Sequence, residues 1–300
     1  MKLTPGYTIC LSAMLFFVSC KKNTEDIITP PPPPPPIVMP DNDPLLLGNP
    51  TNAQTSTTMP ENYLKNNGWY KIAYSQSRAI PVWVAWHLQA DLDFGVTSRQ
   101  DDFRADVGLP AGWYQVQDNS YSGSGFDRGH NCPSADRTSS IPANSSTFLM
   151  TNMIPQSPKL NQVSWAGLED HTRANLVGSD KEAYVFMGNY GVGGYNTSNL
   201  FFTSIDAGRV TVPAYIWKVI ISIPKGANDI SRMDTSATVL AVNMPNDNRL
   251  YLTGGNTVWR NYITTIANLE QQAGMNAVML DLLQRIPANI RSYLKLKLYR

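Results

Sequence analysis

The hydrophobic and polar positions of this chain change rhythm several times, and the changes predict a mixture of strands and helices. Tyr70 to Tyr74 and Pro81 to Leu88 read as two strands joined by the polar segment Ser75–Arg78. The second, Val82-Trp83-Val84-Ala85-Trp86-His87-Leu88, is β-branched and aromatic and reads as heavily buried. Ala183 to Met187, Val210 to Pro213, Tyr215 to Ile223 and Val239 to Met244 supply further strand material. In the third of these, Tyr215, Trp217, Val219 and Ile221 alternate onto one face. Helical spacing begins at Ser157-Pro158, which offers an N-cap and a proline at the first helical position. Leu160, Val163, Trp165 and Leu168 carry that helix to about Leu176, with Gly178 just past its end. Thr257 to Ala273 reads as a helix closed by Gly274, with Trp259, Ile263, Ile266 and Leu269 as its buried stripe. Ala277 to Leu283 and Ile290 to Leu298 complete the pattern, which has no internal repeat. Strands and helices without regular βαβ alternation favour an α+β fold.

The N-terminal sixty residues follow a different logic. Lys2, the apolar run Ile9 to Val18 and then Ser19-Cys20 match a signal peptide of lipoprotein type, spanning residues 1–19, with Phe17 where leucine is more usual. The apolar run is too short for a spanning helix, so the expected membrane contact is lipid on Cys20; plain secretory cleavage nearby is the alternative. Residues 20–60 are then a linker whose seven prolines, Pro30 to Pro36, form a semi-rigid polyproline II rod. This places the protein, exported, in a bacterial cell envelope, facing the surface or the periplasm. Residues 61–300 are expected to form a single globular domain, with no second linker. With Cys10 and Cys20 accounted for, Cys132 stands alone, so the domain has no internal disulfide.

Net charge is only +1, so no whole-molecule basic field advertises nucleic acid; any such function needs a local basic patch. Candidate chemistry concentrates between Tyr121 and Arg137, where Asp127-Arg128-Gly129-His130 lies between glycine-rich and proline-containing loops. His130 is one of three histidines; beside it stand a fixed cation and a residue without a side chain. That setting suits a base acting on a phosphate, and equally a turn whose histidine satisfies a hydrogen bond. Cys132 suggests a Cys–His nucleophile but reads better as a small residue filling space. His87, inside a strand, reads as a satisfied core histidine. Arg99 and Arg104 lie in a loop of alternating charge, suited to clamping phosphate or to solvated ion pairs. In the helix from Ser157, Asn161, Trp165, Glu169 and Arg173 recur at spacing four and share a stripe. Glu169 and Arg173 would form an ordinary i,i+4 pair. Asparagine is a poor helix former, however, and the Asn161 amide oxygen suits a hard cation such as Mg²⁺.

Asp127-Arg128-Gly129-His130, Thr151-Asn152, Leu160-Asn161-Gln162, Trp165 and Leu168-Glu169 together resemble the DNA/RNA non-specific endonucleases. These are ββα-metal (His-Me finger) nucleases that include mitochondrial endonuclease G and secreted bacterial nucleases. Asp102-Phe103-Arg104 and Val212-Pro213 with Trp217-Lys218-Val219 also fit, and the likeness runs from about Tyr63 to the C-terminus. It implies a central mixed or antiparallel sheet with helices packed on it. It also implies Mg²⁺-dependent hydrolysis of phosphodiester bonds in DNA and RNA, with Mn²⁺ as a substitute ion. By position in the motifs, His130 is the general base and Asn161 the direct metal ligand. Glu169 holds a water of the ion's shell, Arg128 and Arg173 offset transition-state charge, and Asn152 orients the base or its loop. The family's upstream arginine maps to Arg99 or Arg104, and Asp127 joins them as a substrate-side residue. Asn131-Cys132 departs from the usual pair after the motif without touching this set. The alternatives are an enzyme restricted to DNA or RNA, an inactive surface-anchored nucleic-acid-binding protein, or a toxin-like nuclease with an inhibitor partner. The last would call for delivery domains that this chain does not carry. A homodimer is compatible with the likeness.

Overall fold

Alternating side chains give the strands two apolar faces, and both are covered. The structure, a computed structural model, describes residues 39–300. The expectations about Cys20 and the Pro30–Pro36 rod lie outside these residues. Strands β1 (Tyr63–Asn66), β2 (Lys71–Ser75) and β3 (Ile80–Gln89) open the domain. A separate hairpin follows, β4 (Asp127–His130) and β5 (Met153–Gln156). Then come β6 (Lys181–Tyr190), β7 (Tyr215–Pro224), β8 (Thr238–Pro245) and β9 (Ile263–Thr264). The main sheet has seven strands in the order β1-β2-β3-β6-β7-β8-β9, every pairing antiparallel.

On one face, Val84, Trp86, Val185, Met187, Ile216, Ile220 and Val242 pack with the β4–β5 hairpin and the helix after it. On the other, Trp83, Phe186, Trp217, Val219 and Ile221 pack against Leu45–Leu47 and the helices Ile266–Met275 and Ala288–Leu296. The alternation expected for Trp217, Val219 and Ile221 is therefore present.

Two segments differ from the sequence reading. Asp41 to Pro60, read as linker, belongs to the folded unit that begins at Met39. Three consecutive leucines, Leu45 to Leu47, are buried there because they cap an apolar sheet face. Thr257 to Ala273 is not one helix. Gly255–Tyr262 is 3₁₀, the chain then extends as β9 against Ala241 and Val242, and an α-helix starts at Ile266. Sheet pairing of Ile263-Thr264 wins over helical spacing, and Thr265 caps the new helix by accepting from the Asn268 amide at 3.1 Å.

The site-bearing helix continues without a break through a π stretch Leu160–Trp165, an α stretch Ala166–His171 and a second π stretch Thr172–Val177. Four residues overshoot one turn of α-helix and undershoot one turn of the wider π-helix. Mixing the two therefore cancels much of the drift expected for the Asn161–Trp165–Glu169–Arg173 stripe. The Ser157 hydroxyl does not cap this helix, for its Oγ is buried without a partner. Asn246 and Asn248 cap it instead, accepting from the amides of Ser157 (2.8 Å) and Lys159 (2.9 Å).

Gly167 lets this helix lie directly on the 3₁₀ segment: a Cβ there would sit 1.9 Å from the Asn256 carbonyl oxygen. Backbone cannot yield as a side chain can. We predict that Gly167→Ala destabilises the domain by about 2–3 kcal/mol in chemical denaturation. Wild-type stability would show that the contact carries no strain.

Candidate active site

The hairpin and the site-bearing helix form a ββα unit, and its geometry starts from Gly129. In the β4–β5 ladder Gly129 faces Ile154 and His130 faces Met153. A Cβ on Gly129 would meet Gln156 Cβ at 2.7 Å, so only glycine lets the two strands and the Gln156 side chain close up here. The next turn is held by Asn152, which is fully buried. Its Oδ1 accepts from the Cys132 amide at 3.0 Å. Its Nδ2 donates to the carbonyls of Cys132 (2.9 Å) and Thr147 (2.8 Å). Asn152 thus pins the chain two residues past His130 and is not among the residues that line the cavities beside it.

His130 is half-buried between two aromatic edges, Phe103 at 5.6 Å and Phe148 at 5.0 Å between ring centroids. Its Nε2 is buried without a hydrogen-bond partner. Burial, then the Arg99 and Arg128 cations, lower its pKa to about 3. The imidazole is accordingly neutral at physiological pH. Beside it is a cavity of about 180 Å³ lined by Arg99, Arg128, His130, Ser134, Asn161 and Glu169. A larger polar cleft of about 430 Å³ shares Arg99, Arg128 and Asn161 with it and reaches Phe103, Tyr121 and Gln162.

The predicted residues divide into those that reach this cavity and those behind it. Arg128 stacks over Phe103, 3.8 Å from the ring centroid, and donates to the Asp118 carbonyl. Arg99 lies over Phe148 and donates to Ser134 Oγ at 3.2 Å. Arg104 turns away to Asp102 and the Ser145 carbonyl, so of the two candidate arginines only Arg99 lines the cavity. Asp127 Oδ2 accepts from Asn161 Nδ2 and Gln162 Nε2, both at 2.8 Å. Those bonds fix the Asn161 amide with its nitrogen toward Asp127, leaving the oxygen for another partner. Arg173, expected at the phosphate, instead bonds Asp136 (2.9 Å) and Asp170 (2.7 Å) and is not among the cavity residues. It buttresses the wall behind Glu169.

Glu169 lines the cavity and binds Lys218 Nζ at 3.2 Å. Burial raises the Glu169 pKa, opposed by the Lys218 and Arg173 charges. Lys218, Phe103 and Phe148 were not selected as functional by sequence reading. Lys218 carried a usable signal, a cation at an inward position of the largely apolar β7. Cys132 is fully buried, and burial pushes its thiol up well beyond the usual range, so it is a space-filler and no nucleophile. His87 is a core histidine facing Glu182 at 3.2 Å.

A divalent ion can be weighed against two places. Near the cavity, the Asn161 amide oxygen and the Glu169 carboxylate are hard oxygen donors. So few protein ligands suit Mg²⁺, which keeps most of its water. The donor set fits. Among the described residues His87, Glu182 and Asp229 also group their ligand atoms within 4.8 Å. There Arg232 Nη2 already bonds Glu182 and Asp229, each at 2.6 Å, so a guanidinium takes the position a cation would need. That group is a buried ion-pair network.

Comparison with known proteins points to one group. The family model for DNA/RNA non-specific endonucleases matches residues 47–284. A nuclease of Nostoc sp. is 39% identical over 253 residues, covering 84% of this chain and 85% of that protein. Human mitochondrial endonuclease G is 29% identical over 216 residues, covering 71% of this chain and 68% of that protein. Among solved structures, the EndoG/EndoGI complex, described as revealing the mechanism of EndoG inhibition, has a chain that superposes with a TM-score of 0.62. It is 22% identical, over 82% of this chain and 92% of that one, which speaks for the fold alone.

Proposed function

This chain belongs to the DNA/RNA non-specific endonuclease family and is an endonuclease; from that premise we propose a metal-dependent hydrolysis of DNA and RNA centred on His130. The observation that carries the proposal is the placement of a neutral His130 imidazole and the Asn161 amide oxygen beside one cavity. His130 accepts a proton from the attacking water, which its neutral state permits at physiological pH. Arg128 and Arg99 face the cavity as fixed cations and draw in the phosphodiester, offsetting charge as it grows during attack. Asn161 would hold Mg²⁺ through its amide oxygen, and Glu169 would hold a water of the ion's shell. When bound, the ion supplies Lewis-acid chemistry and neutralises charge on the leaving oxygen. Asn152 and Asp127 position the residues that act. Arg173 acts through Asp136 and Asp170, further from the phosphate than its motif position suggests.

Every contact proposed here is to the backbone phosphate, which carries no base identity and is common to DNA and RNA. We therefore expect plasmid DNA and single-stranded RNA both to be degraded, with complete loss in EDTA and recovery on adding Mg²⁺. Added salt should weaken both reactions steeply. Degradation of one polymer alone would narrow the proposal to that substrate. Full activity in EDTA would defeat the metal-dependent reading.

A further inference from the structure

We infer that Lys218 is a positioning residue for cleavage: from the middle of the sheet it holds the Glu169 carboxylate at the cavity wall. The inference rests on the role proposed above for Glu169. Lys218 is 2% exposed, in a strand paired on both sides. Its neighbours on the same face, Ile216 and Ile220, and its cross-strand partners, Met187 and Val242, are all buried and apolar. Nothing in the register of that face calls for a cation; a leucine or methionine would continue it. Burying an ammonium there is costly unless a partner repays it, so its presence needs a reason other than folding.

The surroundings supply that reason. Lys218 Nζ lies 4.7 Å from the Trp165 ring centroid and 5.5 Å from that of Trp86, between two indole faces that favour a cation. Its ionic partner is Glu169 Oε1 at 3.2 Å. Trp165 and Glu169 are one step apart on the helix stripe that also carries Asn161, so Lys218 meets the stripe from the sheet side. The other nearby cation, Arg173, spends its guanidinium on Asp136 and Asp170. Lys218 therefore fixes where the carboxylate sits, while Glu169 presents itself to the cavity.

The test is a double-mutant cycle on the full chain, with kcat and KM measured on plasmid DNA in Mg²⁺ and melting followed for each variant. Lys218→Met fits between the indoles but cannot bind the carboxylate. We expect a kcat loss of roughly tenfold or more with KM within about twofold and little change in Tm. Lys218→Arg should restore most of the loss. In a Glu169→Gln background, Lys218→Met should cost nothing further, because its effect runs through the carboxylate. Wild-type kcat for Lys218→Met, or losses that add in the double variant, would overturn the inference. Should Lys218→Met fail to fold, the uncharged pair Lys218→Met/Glu169→Gln decides: kcat equal to Glu169→Gln alone supports it, and a further fall refutes it. A fully active Glu169→Gln enzyme would instead remove the role of Glu169, and that of Lys218 with it.

Discussion

Replacing His130 with alanine should lower kcat on both DNA and RNA by ~10²-fold or more, since it removes the base and leaves only the charge-offsetting groups. The fold should survive. The ring contributes aromatic edge contacts to Phe103 and Phe148, and losing them from a half-buried position should cost roughly 1 kcal/mol. The same residue sets a pH signature. A free imidazole titrates near ~6.5, whereas burial together with Arg99 and Arg128 lowers the folded value to about 3. The unfolded chain therefore binds the proton more readily between these values. The stability contribution of this group is complete above the ordinary histidine range and is lost as pH falls toward the folded value. The acid limb of kcat/KM should likewise lie well below that of an unperturbed histidine. Arg99→Ala, which removes one of the two lowering charges, should move it toward higher pH. A His130→Ala enzyme at wild-type rate would eliminate the base. A limb in the ordinary histidine range that ignores Arg99 would eliminate the electrostatic account.

Much of this site is legible in the sequence because its parts lie in short, local patterns. Asp127 to His130 fall in four consecutive positions, and Asn161 and Glu169 share a helical stripe whose period survives even the π stretches. What escapes is contact between distant segments. Phe103 and Phe148 close on His130 from separate loops. Lys218 arrives from a strand forty-nine residues beyond Glu169. Arg173 occupies the right stripe, yet Asp136, thirty-seven positions away, claims its guanidinium. Arg99 and Arg104 are indistinguishable by composition, and only the carbonyl of Ser145 and the carboxylate of Asp102 show which one is turned from the cavity. The fold shows the same division. Central strands declare themselves by β-branched and aromatic runs. The Leu45–Leu47 plug looks like part of a linker until a sheet face exists for it to cover.

Asn161→Ala should produce the second large effect, read as a shift in metal requirement as well as a fall in rate. The Asp127 carboxylate can only accept, so it dictates which end of the Asn161 amide turns toward it and which faces the cavity. Removing the amide removes the oxygen, and the Mg²⁺ concentration for half-maximal rate should rise ~10–100-fold, the usual range for losing an element of a metal site. Activity should recover in part at high Mg²⁺, because the ion's other ligands are water and substrate. Asp127→Asn isolates the orienting step. An asparagine there can donate or accept, so the Asn161 amide is free to flip, and the metal requirement should rise by less than in Asn161→Ala. Combined, the two changes should cost no more than Asn161→Ala alone, since Asp127 acts only through an amide already absent. Gln162 offers the control. It bonds the same carboxylate oxygen of Asp127 at 2.8 Å, so Gln162→Ala should leave the metal requirement close to wild type. An Asn161→Ala enzyme with an unchanged Mg²⁺ requirement would take the metal away from this asparagine. If Asp127→Asn further weakened an enzyme already lacking the Asn161 amide, Asp127 would have to contact the ion or the substrate itself.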